Sequence, residues 1–191
     1  MGSPGGPTLN FYPLIAEFFQ RHLETSSLAV DGIAEETGAA VELATEAILN
    51  EQKLFSVGLG ADCAAAIALA SLLHNGMLRE RPSLPVVELA EHHLESVETG
   101  VGWVCQQIQA LGQHGDVGFV FSALLSEQDV QRIAASAEHR QMTLIWVGNR
   151  GPGLSIGFGD ADTETLVTLN TTLAVCLARL VDTHTFGPLE G

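Results

Sequence analysis

KLFSVGLGADCAAAIALASLL, Lys53 to Leu73, reads as a buried strand, a glycine turn and an alanine-rich helix in direct succession, and the rest of the chain is placed around it. A strand-turn-helix unit brings backbone N–H groups and the positive end of the helix dipole to one point, where a phosphate or carboxylate is ordinarily held. Gly58 and Gly60 suit that turn. The residue entering the helix, however, is Asp62, so a carboxylate already stands where an anionic ligand is expected.

Downstream, strands and helices alternate, which predicts a parallel sheet with helices on both faces. Strands are expected near Lys53 to Val57, Pro85 to Leu89, Val117 to Ser122, Thr143 to Val147 and Leu154 to Phe158. Helices are expected near Asp62 to Met77, Val101 to Leu111, Glu127 to Arg140 and Asp162 to Thr185, the last with Leu166, Leu169, Leu173, Leu177 and Leu180 on its inner stripe. Ligands of such sheets bind where loops converge at the carboxyl ends of the strands. Here those loops are Gly58 to Asp62, Ser122 to Glu127 and Gly148 to Gly153.

Upstream, Phe11, Leu14, Ile15, Phe18, Phe19 and His22 form one apolar helical face, and Ser26 with Ser27 offers the cap of a second helix running to about Asn50. Two helices ahead of the first strand have little sheet to cover, so this hairpin is expected to contact another subunit. The fold class is therefore α/β: a three-layer α/β/α sandwich with a five-stranded parallel sheet, preceded by an N-terminal helical hairpin. Residues 1–7 read as a glycine and proline tail. Residues 8–191 read as a single domain, with the hairpin over 8–50 and the α/β core over 51–191.

The chain has 191 residues, 46% of them apolar, which suffices for one substantial core. Its 23 acids against 8 bases give a formal net charge of −15, which argues against direct nucleic-acid binding. The same charge suits either a basic protein partner or simple solubility. The apolar run from Cys63 to Leu73 is too short to span a bilayer, and a soluble cytoplasmic protein is expected. Cys63, Cys105 and Cys176 show no CxxC spacing and read as reduced thiols. No metal site or cofactor is expected; His92 and His93 read as an exposed loop pair near the cleft edge.

The order of these pieces resembles the sugar isomerase (SIS) domain family, whose fold is flavodoxin-like, and within it the branch of phosphoheptose isomerase and the DnaA initiator-associating protein. Gly58 to Leu89, GLGADCAAAIALASLLHNGMLRERPSLPVVEL, is similar to that branch's glycine turn, helix and RERP-x-LP segment. Ala110 to Gly148 is similar to its second phosphate-loop unit, and LVDTHTF, Leu180 to Phe186, to its closing helix. The stretch between Leu89 and Val101 is shorter than in those relatives, which implies a trimmed substrate-covering loop.

The resemblance implies a site, and this chain departs from it. Phosphosugar-binding members carry G-N-G-[GT]-S in the first loop; here Leu59, Ala61 and Asp62 follow Gly58 in place of the Asn, the small or hydroxyl residue and the Ser, with Gly60 retained. The second loop, S-T-x-G-N-S in the family, keeps Ser122 but has Ala123, Leu125, Ser126 and Glu127 instead. Two unit charges about 4 Å apart interact by roughly 4 kcal/mol at an effective dielectric of about 20. Losing two hydroxyl donors and gaining two acids should thus weaken phosphate binding on the order of a thousandfold. Both acids also suit helix caps, Asp62 on its own helix and Ser126 with Asp129 and Glu127 on the next. The positions that the resemblance makes catalytic, a Glu and a His, fall at Leu72 and Val175, and the possible metal-ligand positions at Ala68 and Val167. None of these side chains titrates or ligates.

The expectation is a homotetramer, or a homodimer, that binds protein, with the replication initiator DnaA as the implied partner and Phe186 as a contact candidate. Arg79 and Arg81 are expected to pin the helix-to-strand connection or a subunit contact rather than to clamp an anion. The alternatives are a working isomerase of sedoheptulose 7-phosphate and a sensor of small uncharged or cationic molecules in the acidified cleft.

Overall fold

Six consecutive buried residues, Leu54–Leu59, form the central strand β1 and leave it no solvent face. The computed structural model describes residues 10–76, 79–91, 97–148 and 151–188. Around β1 lie β2 (Val86–Glu91), β3 (Val117–Phe121), β4 (Thr143–Gly148) and β5 (Leu154–Gly157), all parallel, in the order β2-β1-β3-β4-β5. Leu54 is level with Val86 on one side and with Val117 on the other. Strands buried on both faces read as nearly continuous apolar runs, which is why β1, β3 and β4 stand out in the sequence.

The helices are α1 (Tyr12–Leu49), α2 (Cys63–Asn75), α3 (Val97–Leu111), α4 (Glu127–His139) and α5 (Thr163–Phe186). One face of the sheet is covered by α1, α2 and α5 through Ala44, Leu69, Leu73, Leu173 and Leu177; the other by α3 and α4 through Val104, Ile108 and Ile133, with Trp146 beneath them. This is the expected three-layer arrangement with its five-stranded parallel sheet. Although α5 is long and apolar enough to cross a bilayer, half of its most apolar window is buried against the core.

The N-terminal region departs from expectation. It is not a hairpin but one helix of 38 residues, about 57 Å long at 1.5 Å per residue. Ser26 and Ser27 lie in its interior. Two serines lower helix propensity by only a few tenths of a kcal/mol each, and no proline follows to end the helix. The apolar phase also runs through them without a break, from Ile15, Phe18 and His22 to Ala29, Ile33 and Ala40. Pro13 sits in the first turn, where its missing N–H is harmless.

Candidate functional site

The chain passes from β1 outward to β2 and then back across to β3, so the crevice between the carboxyl ends of β1 and β3 is the topological switch point. A 3-10 turn, Gly60–Asp62, leaves β1 and runs directly into α2. Gly60 adopts φ of 59°, the left-handed region that glycine tolerates. The Cys63 thiol donates to the Gly58 carbonyl at 3.2 Å and fastens the turn from below.

Asp62 stands at the N-cap of α2 but does not cap it, since its side chain accepts nothing from that helix. This corrects the capping expectation. The carboxylate crosses to the second loop instead, where Oδ2 accepts the Leu124 N–H at 3.2 Å and the Ala123 N–H also contributes. Oδ1 accepts from Asn170 Nδ2 at 2.8 Å. Asp62 is only 1% exposed and Asn170 fully buried. Gly148 closes the group from β4; a Cβ there would lie 3.0 Å from both amide atoms of Asn170 and 3.4 Å from the Ala123 nitrogen. All three expected loops therefore contribute, and α5 does so through Asn170, a residue that was not foreseen.

The other expected cleft residues divide. Leu59 is turned into the core, where it packs on Gly100 of α3. Ser122 is buried and donates its hydroxyl to the Val147 carbonyl of β4 at 3.0 Å. Ala61 is exposed on the 3-10 turn. Ser126 caps α4, accepting from the Asp129 N–H at 3.2 Å, and Glu127 is exposed as the first residue of that helix. The expectation of two acids in the crevice is thus corrected to one, because the cap geometry that suits Ser126 carries Glu127 out to solvent. Of the catalytic positions, Ala68, Leu72 and Val167 are half-buried and Val175 is exposed. His92, His93 and most of the shortened stretch after β2 lie outside the described residues. Phe186 ends α5 beneath the Arg81 guanidinium, 5.4 Å from the ring centre. Among the described residues no three of His, Cys, Asp and Glu group as metal ligands.

Asn170 carried a signal that pattern reading passes over. Leu166, Leu173 and Leu177 continue through it at helical spacing, so it is a polar residue at a core position, and a buried amide demands a partner. Burial pushes the Asp62 carboxyl up from its ordinary value, while hydrogen bonds from Asn170, Leu124 and Ala123 hold it back. A carboxyl whose folded value is raised binds its proton more readily in the folded chain than in the unfolded one. Its contribution to stability is then present below the unfolded value and lost as pH rises through the folded value. Asp62→Asn removes that dependence. The new amide oxygen can serve the second-loop N–H groups, and its nitrogen can face Asn170 Oδ1, which is buried without a partner, once that amide flips. In urea titrations the variant should gain on the parent as pH rises above the ordinary carboxyl value of about 4. A constant difference across that rise would remove the buried carboxyl as its source.

No protein-family model matches the chain. Curated relatives match along nearly its whole length. Phosphoheptose isomerase of Alkalilimnicola ehrlichii is 27% identical over 94% of this chain and 99% of its own, and that of Methylococcus capsulatus 27% over 94% and 100%. The DnaA initiator-associating protein DiaA of Erwinia tasmaniensis is 25% identical over 88% and 93%. Among solved structures, phosphoheptose isomerase of Francisella tularensis superposes with a TM-score of 0.78 at 17% identity, covering 92% of this chain and all of that one. GmhA of Neisseria gonorrhoeae gives 0.74 at 20% identity, covering 91% and all of that chain. Sequence and fold together make this chain a homologue of the phosphoheptose isomerases and of DiaA, built on the SIS fold.

Proposed function

We propose that this chain is a non-catalytic SIS-domain protein that acts as an oligomeric protein-binding scaffold, as the name of its DiaA relative suggests, with a cytoplasmic replication initiator as partner. One observation carries the reading: the Asp62 carboxylate already takes the second-loop N–H groups that a phosphosugar would need. The aliphatic side chains at Ala68, Leu72, Val167 and Val175 add a second, independent support, since a proton cannot be moved between adjacent carbons without an acid and a base. A net charge of −15 suits a partner with the basic patches of a DNA-binding protein. Purified protein given sedoheptulose 7-phosphate should show no turnover, and immobilised protein should retain DnaA at micromolar concentration. Turnover would establish instead the isomerase reading that the phosphoheptose isomerase relatives favour.

A homotetramer is part of the proposal, and the first helix supports it. Between Tyr12 and Glu36 only His22 is buried. Phe19 and Leu23 are 62% and 69% exposed, and Tyr12, Leu14, Ile15 and Leu28 are exposed with them. So large an apolar surface on a soluble chain calls for cover. The parent should sediment at four times the monomer mass. Phe19→Asp combined with Leu23→Asp should dissociate it without unfolding, because neither side chain touches the core. A monomeric parent would remove the oligomer from the proposal.

A further inference from the structure

Groups from two distant segments converge on the Asp62 carboxylate, and among the described residues none of the hydrogen bonds it accepts comes from a cation: they come from the Leu124 and Ala123 N–H groups and the Asn170 amide. Such an arrangement is expensive. A buried carboxylate without a counter-charge pays a desolvation penalty that hydrogen bonds recover only in part, and here the side chain gives nothing to its own helix in return. The donors themselves explain it. Two successive N–H groups at the turn between β3 and α4, facing the turn after β1, form an anion-binding concavity. Asn170 completes the enclosure; its Nδ2 is engaged by Asp62, while its Oδ1 is buried without a partner.

We propose that Asp62 is a tethered ligand: its carboxylate fills the crevice between β1 and β3 in the manner of a bound anion, binding the β1, β3 and α5 segments together permanently, and shortening this side chain uncovers an oxyanion site. This rests on the non-catalytic reading and deepens it. The crevice is closed here by the chain's own carboxylate, so the loops bordering it are held in every copy. A scaffold profits from that constancy; an enzyme that must admit substrate does not.

The test is chemical replacement. Parent, Asp62→Ala, Asp62→Ser and Asp62→Asn are melted in chloride and then in inorganic phosphate at matched ionic strength. In chloride the alanine and serine variants should melt about 3 °C or more below the parent, at roughly 2–4 °C per kcal/mol for a chain of this size. Phosphate at about ten times its dissociation constant should raise them by about 3–6 °C. The parent and the asparagine variant, whose crevice stays filled, should show only the general stabilisation that phosphate gives any protein. Should the alanine variant fail to fold in chloride, its refolding yield in phosphate against chloride gives the same readout, with the serine variant as the melting sample. Alanine and serine variants that melt with the parent, or that phosphate moves no further than the parent, overturn the tethered ligand. Turnover of sedoheptulose 7-phosphate by the parent would instead sink the non-catalytic reading, so the two failures are told apart.

Discussion

Gly58→Ala should destabilise the fold by more than about 3 kcal/mol, the upper end of what overpacking costs, and should lower the yield of soluble protein. A Cβ at Gly58 would lie 2.3 Å from the Asp62 carbonyl oxygen, 2.7 Å from its carbon and 2.9 Å from Ala66 Cβ. Two of those atoms are backbone of the turn itself. Relief would require α2 to withdraw from β1, and α2 carries Leu69 and Leu73 at the centre of the core. Gly60→Ala is the instructive contrast. Its φ of 59° makes a side chain unfavourable by about 1–2 kcal/mol. Its nearest neighbour, however, is only the end of the Leu124 side chain at 3.0 Å, which can move. Urea unfolding of both variants checks the order. A Gly58→Ala midpoint equal to that of Gly60→Ala would mean that the turn is not held against α2 as described. A total stability of roughly 5–15 kcal/mol makes the first loss large enough to empty the folded state in a marginal background.

The two glycines are adjacent in the pattern yet differ in role, and that difference marks where sequence reading ends. The sheet was legible because β1, β3 and β4 are short apolar runs and turn residues bound the rest, so β1 to β5 lie within two residues of expectation at either end. The two-helix division of the N-terminal region was not, because a pair of serines resembles a cap and the continuity of the apolar phase across them is weaker evidence than the cap looks. The crevice was half legible. Asp62 announces itself as an acid in a turn that usually receives one. Its partner Asn170 lies 108 residues away on a helix whose leucines draw attention from it. Glu127 looked equivalent to Asp62, yet the N-cap geometry of Ser126, with its extended backbone, sets the residue after it on the solvent side. Spacing says which residues open a helix; only the path of the preceding turn decides which of their side chains faces the neighbouring loop.

Arg81→Ala should be the other severe change, costing about 3–5 kcal/mol. The Arg81 side chain is 2% exposed, and its Nε donates to Asp182 Oδ1 on α5. Its two terminal nitrogens donate to the carbonyls of Leu73 at 2.8 Å and Leu72 at 3.1 Å in the last turn of α2, which also accept the Leu84 and Gly76 N–H groups. One guanidinium thereby caps α2, favours the negative end of its dipole and ties it to α5. Arg79 adds to the tie, lying 3.0 Å from Asp182 Oδ2 and donating to the carbonyls of Phe186 and Gly187 at 3.2 and 2.7 Å. These arginines therefore serve as a clasp between helix ends, and Phe186 is engaged at both ring and carbonyl. Removing Arg81 strands a carboxylate that is 5% exposed with Arg79 alone and takes a charged donor from two carbonyls at the end of α2. Arg81→Lys keeps the charge but has no fork to reach the carboxylate and the carbonyls of Leu72, Leu73 and Pro82 together, so it should recover less than half of the loss. Replacing Asp182 as well, in Arg81→Ala with Asp182→Ala, should be milder than Arg81→Ala alone, since the nearly inaccessible carboxylate is then gone and the more exposed Arg79 keeps the Phe186 and Gly187 carbonyls. Equal losses for the single and double variants would show that capping of α2, not the ion pair, is what the clasp contributes.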